Sequence, residues 1–309
     1  MAIQIGIDIG GTKIAVAAFS ADGDVRASCR APTPKTYEAL LEQCFSLFAS
    51  VVREAGDVAQ AGLCLPGVID RKLGTVASGN LSFLKEKPFG HDLERLLKRP
   101  LAIGNDANCA ALAEALAGAG KGYESVLGLC LSTGIGSGFV LHGRIWEGAN
   151  GLAGEVGHLP LAFREPQDGP PSLCSCGQLG CVEDAISGGG FKRLYSFITG
   201  DEAPEPEMIV QHCLAGDKKA AEVIDRYLEL VAKAMVGVFH SLDPSVVVVS
   251  GGLMNIPGLF EEVPRRLLRY ICAEEIRTPF VPARFDTLAS AFGASLLPEM
   301  MEREKIDDV

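Results

Sequence analysis

The chain has no excess of positive charge. Its 28 Lys and Arg are outnumbered by 39 Asp and Glu, for a net charge of −11. That balance argues against a nucleic-acid partner, because meeting a phosphate backbone takes a basic face. The opening MAIQIGIDIG lacks the basic region, apolar run and small-residue cleavage site of a secretory signal. Apolar runs such as SVVVVS (245–250) are far too short to span a bilayer. The expectation is a soluble cytoplasmic protein with no membrane partner, whose ten cysteines stay mostly reduced. No low-complexity segment stands out. Two common phosphate-binding motifs are also missing. G-x-x-x-x-G-K-[ST] does not occur, and the glycine loops that do occur are followed by strands, not by the helix of a dinucleotide fold.

What is present is enough for two cores: 309 residues, 48% of them hydrophobic. IQIGIDIGGTKIAVAAFSADGDV reads as strand, turn, strand, turn, with Gly10-Gly11 expected to make the reversal by adopting positive φ. TYEALLEQCFSLFASVVREAG has helical spacing and a glycine stop at Gly56. AGLCLPGVID is a strand ending in a Pro-Gly turn. PLAIGNDANCAALAEALAGAG is a strand, a polar turn and an alanine-rich helix. The opening then repeats weakly: VLGLCLSTGIGSGFVLHG lies on QIGIDIGGTKIAVAAFSA, with Gly6 on Gly128 and Asp8 on Cys130. Beyond it come a long amphipathic helix ending at Asp243-Pro244, the strand SVVVVSGGLM and a small-residue helix, TLASAFGASLLPEM. Alternating strands and helices make the class α/β. The repeat suggests one domain over 1–119 and a second over 120–309.

The chemistry concentrates in four places. DIGGTK (Gly10, Gly11, Thr12, Lys13) and STGIGSG (Thr133, Gly134, Gly136) bring side-chain-free backbone close enough to cradle phosphate, with Thr and Lys as added donors. Either loop alone is as well explained as an ordinary hairpin. The matched pair, with a third glycine turn at Gly251-Gly252, favours a nucleotide. Asp8 could face the Mg²⁺ of that nucleotide through water, or simply stabilise its turn. In GNDAN, Asn105 and Asp106 suit a helix cap, and an Asp beside a phosphate site also suits a general base toward a hydroxyl. Finally, His158, Cys174, Cys176 and Cys181 form H-x15-C-x-C-x4-C. Four such ligands fit a closed structural Zn²⁺ site better than a disulfide, which would leave an odd thiol, or a redox pair, which favours C-x-x-C. The other seven cysteines read as small buried hydrophobes.

Taken together, IDIGGTK, NDAN, LSTGIGSGFVLHGRIWEGANGLAGEVGHLPL and CSCGQLGCVE resemble the ROK family of sugar kinases across essentially the whole chain. The resemblance implies two actin/hexokinase-like (ribonuclease H-like) domains flanking a cleft, with a zinc-bound loop. It also implies a C-terminal helix, about 288–309, packed on the first domain, and a homodimer. It implies ATP with Mg²⁺ as phosphoryl donor and Asp106 as base toward a sugar 6-hydroxyl. Asn80, Asn105, Glu155, His158 and Glu183 would hold sugar hydroxyls, His158 serving both sugar and zinc. Gly251 and Gly252 would lie near the nucleoside. The similarity is greatest to members acting on N-acetylglucosamine. Another hexose (glucose, fructose, mannose or N-acetylmannosamine) or a non-catalytic sugar-sensing regulator are the alternatives. A DNA-binding repressor is disfavoured, because the first strand begins at Ile3 and the charge is acidic.

Overall fold

The computed structural model describes residues 3–56, 58–70, 75–78, 81–285 and 287–307. The chain opens with strands β1 (Ile3–Ile9), β2 (Lys13–Phe19) and β3 (Val25–Pro32), helix α1 (Tyr37–Ala55) and strands β4 (Val58–Leu65), β5 (Val68–Asp70) and β6 (Thr75–Ser78). Helix α2 (Phe89–Leu97), strand β7 (Leu101–Asn105) and helix α3 (Asp106–Ala117) follow. Next come strands β8 (Ser125–Leu131), β9 (Ile135–Leu141) and β10 (Arg144–Ile145), then helices α4 (Val182–Ile186), α5 (Gly188–Thr199), α6 (Pro206–Leu214) and α7 (Lys218–Ser241). Strand β11 (Val246–Ser250), helix α8 (Leu259–Leu267), strand β12 (Phe280–Pro282) and helix α9 (Ala289–Asp307) complete the chain.

The repeat read from the sequence is a repeat of topology. One sheet has the order β3-β2-β1-β4-β7, the other β10-β9-β8-β11-β12. In each, an antiparallel hairpin arm flanks a central strand that continues into two parallel neighbours. β1 and β8 are each seven residues, as are β2 and β9. The first segment ends at Gly122, close to the expected boundary at Ala119, but neither unit is continuous in the chain. Residues 1–122, 138–154 and 284–309 form one compact unit, and 123–137 with 155–283 form the other. Packing, not chain order, sets this division. Within the first unit, a Cβ on Gly138 would meet the backbone of Asn108 and one on Gly151 would meet Val68.

In the first unit, Ile5, Ile7 and Ile9 of β1 are wholly buried with Leu40, Cys44 and Val51 of α1, the period-2 and helical spacings each finding their core. α1 stops where Gly56, at φ 91°, donates its N–H to Val52. The small-residue helix α9 packs between the sheet and α3. A Cβ on Gly6 would lie 1.6 Å from the Ala291 carbonyl oxygen, and one on Gly293 would lie 1.7 Å from that of Cys109. Only glycine permits so close a backbone approach.

In the second unit, Asp217 caps α7 by accepting from the N–H groups of Lys219 and Ala220. The helix is amphipathic only in its first half. From Tyr227 to Phe239 nearly every side chain is buried, including Glu229 and Lys233, because α4, α5, α6 and α8 pack around it. Lys233 and Asp168 are fully buried and joined at 2.8 Å, with Glu165 and Arg226 completing the ion network. Of the seven scattered cysteines, Cys44, Cys64 and Cys109 are buried as expected, Cys29, Cys130 and Cys213 are half-buried, and Cys272 is exposed. No helix among the described residues is long and apolar enough to cross a membrane.

Candidate active site

In the first unit, the β1–β2 turn is closed by a hydrogen bond from Gly10 N–H to Lys13 O at 2.9 Å. The Thr33 hydroxyl donates to Gly10 O at 2.7 Å. Neither Gly10 nor Gly11 has positive φ, so the reversal does not depend on the left-handed region, contrary to expectation. Their lack of a side chain serves access instead: Gly11, Thr12 and Lys13 are exposed, and nothing lies within 4 Å of where a Gly11 Cβ would stand. Asp8 lies inside β1, not at the turn, paired with Ala15 of β2. The Cys64 thiol sits 3.6 Å from its Oδ1.

Asp106 is the first residue of α3, with its Oδ1 accepting from the Ala107 N–H at 2.8 Å. Burial raises its carboxyl above the ordinary carboxylate range, against the pull of the Ala107 and Asp106 N–H groups. Burial likewise pushes Asp8 up to about 6, with the charge of Asp106 adding to the shift and Cys64, Lys13 and Arg30 opposing it. The two carboxyls therefore act on each other. Asn105 is the cap of α3: its Oδ1 accepts from Asn108 N–H at 3.0 Å and its Nδ2 donates to Gly67 O at 3.1 Å. One N–H and one lone pair remain to it. Asn80 lies outside the described residues.

In the second unit, the turn after β8 is closed by Ser132 N–H donating to Gly134 O at 3.1 Å, while Ser132 O accepts from Gly188 N–H at 2.7 Å. Glu183, on α4, accepts from Ile135 N–H through Oε2 at 3.3 Å. Its Oε1 accepts from the Ser175 hydroxyl at 3.3 Å and lies 3.6 Å from Cys174 Sγ. One carboxylate thus joins the second glycine loop to the cysteine hairpin. Gly251, at φ 87°, leaves β11 beside the end of β8, where a Cβ would lie 2.3 Å from Leu131 O, and Gly252 begins the turn that follows. Glu155 precedes the short turn Val156–His158, and its carbonyl accepts from His158 N–H at 3.1 Å.

The hairpin itself runs out and back with Leu173 opposite Leu179, turning at Gly177 (φ 85°) and Gly180 (φ 80°). It brings the ligand atoms of His158, Cys174, Cys176 and Cys181 within 4.8 Å of one another. His158 Nδ1 is 3.6 Å from Cys174 Sγ, and Cys176 Sγ is 3.6 Å from Cys181 Sγ. A disulfide needs about 2.05 Å, and all ten cysteines are free thiols. Thiolates bound tetrahedrally at about 2.3 Å from one ion stand roughly 3.8 Å apart, so the donor set and its spread fit a metal ion. With Nδ1 turned to the thiols, Nε2 is the ring nitrogen left for another ligand.

Sequence reasoning missed three participants: Cys64 beside Asp8, Ser175 on Glu183, and Asp184. The last is written as one more acid in a helix's first turn, and nothing in VED marks it as buried.

Comparison with known proteins places the chain in a family. The sequence profile of the ROK family matches residues 4–300. The N-acetyl-D-glucosamine kinase of Vibrio vulnificus (strain YJ016) is 38% identical over 297 residues, covering 94% of this chain and 98% of that protein. The crystal structure of the ROK hexokinase from Thermus thermophilus superposes with a TM-score of 0.85 at 33% identity, covering 98% of this chain and 99% of that one. The structure of a ROK family glucokinase from Streptomyces griseus, in complex with glucose and AMPPNP, gives 0.78 at 26% identity over 96% and 99%. This chain, with its duplicated glycine hairpins, its aspartate at the head of α3 and its Cys-His hairpin, belongs to the ROK family.

Proposed function

We propose that the protein is an ATP-dependent kinase that phosphorylates the 6-hydroxyl of N-acetyl-D-glucosamine, giving the 6-phosphate and ADP. The observation that carries this reading is the 38% identity, over 94% of the chain, to an enzyme of that activity. The chemistry of the residues supports it. Phosphoryl transfer asks a protein mainly to position the reactants and neutralise charge. Gly10, Gly11, Thr12 and Lys13, with Thr133, Gly134 and Gly136, would hold the nucleotide phosphates, with Gly251 and Gly252 near the nucleoside. Asp8 would meet the nucleotide's Mg²⁺ through water. Asp106 would take the proton of the 6-hydroxyl as its oxygen bonds to the γ-phosphorus and the bond to the β–γ bridging oxygen breaks. Its raised carboxyl is a stronger base than an ordinary aspartate, which suits that task near neutral pH. Asn80, Asn105, Glu155, Glu183 and His158 Nε2 would bind the sugar hydroxyls.

His158, Cys174, Cys176 and Cys181 would hold Zn²⁺, which supplies a cross-link and no reacting group. The residues it joins carry or adjoin the proposed sugar contacts, so ordering them in advance would lower the cost of binding. A cytoplasmic setting, with the cysteines mostly reduced, is part of the proposal. A homodimer is proposed from the family resemblance.

The test is a coupled ATP assay with N-acetylglucosamine, N-acetylmannosamine, glucose, fructose and mannose side by side. Preference for N-acetylglucosamine is expected, with Asp106→Asn lowering kcat by about 10²–10⁴. Preference for another sugar overturns the substrate and keeps the chemistry. Phosphorylation of none overturns the kinase reading and favours a sugar sensor.

A further inference from the structure

The cysteine hairpin has two legs, and only one is attached to α4 by the chain. The return leg runs through Cys181 directly into Val182 and Glu183. The outgoing leg, which carries Cys174 and Cys176, has no such tether. It is held instead by the carboxylate of Asp184, whose side chain is 3% exposed. Asp184 Oδ2 accepts from Ser172 N–H at 2.9 Å, and Oδ1 accepts from the Ser172 hydroxyl. The same carboxylate takes Arg164 Nη2 at 3.3 Å and Arg193 Nη2 at 2.8 Å, and Arg193 also donates to the Asp184 carbonyl at 2.6 Å. Ser172 O meanwhile accepts from Gly180 N–H at 3.1 Å, so Ser172 ties both legs to this one acid.

We infer that Asp184 is a positioning residue. It fixes the outgoing leg against α4 and thereby sets Cys174 both toward His158 and toward the Glu183 carboxylate one residue away. A surface ion pair would not do this, because exposed pairs contribute little. A buried carboxylate with four donors does, since releasing Ser172 leaves buried lone pairs without their hydrogen bonds. The inference rests on the proposed reading in one respect, that Glu183 and His158 bind sugar; the hold on the hairpin itself does not depend on it.

The experiment compares zinc-loaded wild type, Asp184→Ala and Ser172→Ala, the last removing only the hydroxyl donor. Three quantities are read well below the melting point: the rate of zinc release to a colorimetric chelator, the KM for sugar and the KM for ATP. Asp184→Ala is expected to release zinc about 10- to 100-fold faster, the usual range for losing an outer support of a metal site. Its sugar KM should rise about tenfold while the ATP KM stays within about twofold, and Ser172→Ala should move both affected quantities less in the same direction. A purely structural role would lower the melting temperature and leave these values alone. Zinc release and sugar KM at wild-type values in folded Asp184→Ala overturn the inference, as does an ATP KM that rises as far as the sugar KM. Should Asp184→Ala fail to fold, wild-type zinc release and sugar KM in Ser172→Ala overturn it. A wild type that phosphorylates no sugar sinks the proposed function, while zinc release still decides on Asp184.

Discussion

Replacing Asp8 by Asn should make the protein more stable and less active, by an amount that depends on pH. Folding raises the Asp8 carboxyl from 3.8 to about 6. The native state therefore holds a proton that the unfolded state has already lost, across the window between those values. Stability from this group is fully present below about pH 4 and is lost as pH rises through 6. At 1.36 kcal/mol per pH unit the loss approaches about 3 kcal/mol at pH 7.5, and is about 1.6 kcal/mol at pH 5. Asn reproduces the shape of the neutral carboxyl and carries no such cost. Asp8→Asn should then melt higher than wild type by roughly 6–12 °C at pH 7.5 and about half that at pH 5, at some 2–4 °C per kcal/mol. The charge of Asp106 is the second cause of the shift, so the gain should shrink in an Asp106→Asn background, a coupling that a double-mutant cycle reads directly. The assay is calorimetry of the four proteins at both pH values, with ATP turnover measured alongside. A variant that melts lower than wild type, or by the same margin at both pH values, would refute the reasoning.

Two further predictions concern the frame around the site. Among the described residues, Lys233→Met leaves the fully buried Asp168 with only Arg226 and the Glu165 N–H, and should cost about 3–5 kcal/mol in urea unfolding; adding Asp168→Asn should return at least half of it, and no recovery would mean the lysine matters for packing alone. Gly62→Ala would put a Cβ 1.7 Å from the Ala294 carbonyl oxygen on α9, so a loss of about 3 kcal/mol or more is expected. Gly11→Ala, which meets nothing within 4 Å, should melt as wild type does; equal melting of the two variants would show that α9 does not press on β4 as described.

Much of this protein was determined by local sequence. The alternation of Ile5, Ile7 and Ile9, the helical spacing in α1 and the glycine turns specify elements whose hydrogen bonds close nearby, so pattern alone finds them. The hairpin repeat was legible for the same reason. The Cys-His site was legible because three of its ligands lie within eight residues and glycines at 177 and 180 make the turns between them. Tertiary structure decided what depends on partners distant in sequence. Gly6, Gly62 and Gly293 look like ordinary small residues until α9 is laid on β1, β4 and α3. Lys233 reads as the polar face of an amphipathic helix until Asp168, 65 residues away, buries it. Asn105 reads as a helix cap in the sequence, and only the fold shows its amide also donating to Gly67, with one N–H and one lone pair left over. Asp184 and Glu183 are adjacent acids in the sequence, and only burial separates them. One lies against the second glycine loop and the cysteine hairpin, and the other divides its carboxylate between Ser172, at the foot of that hairpin, and Arg164 and Arg193.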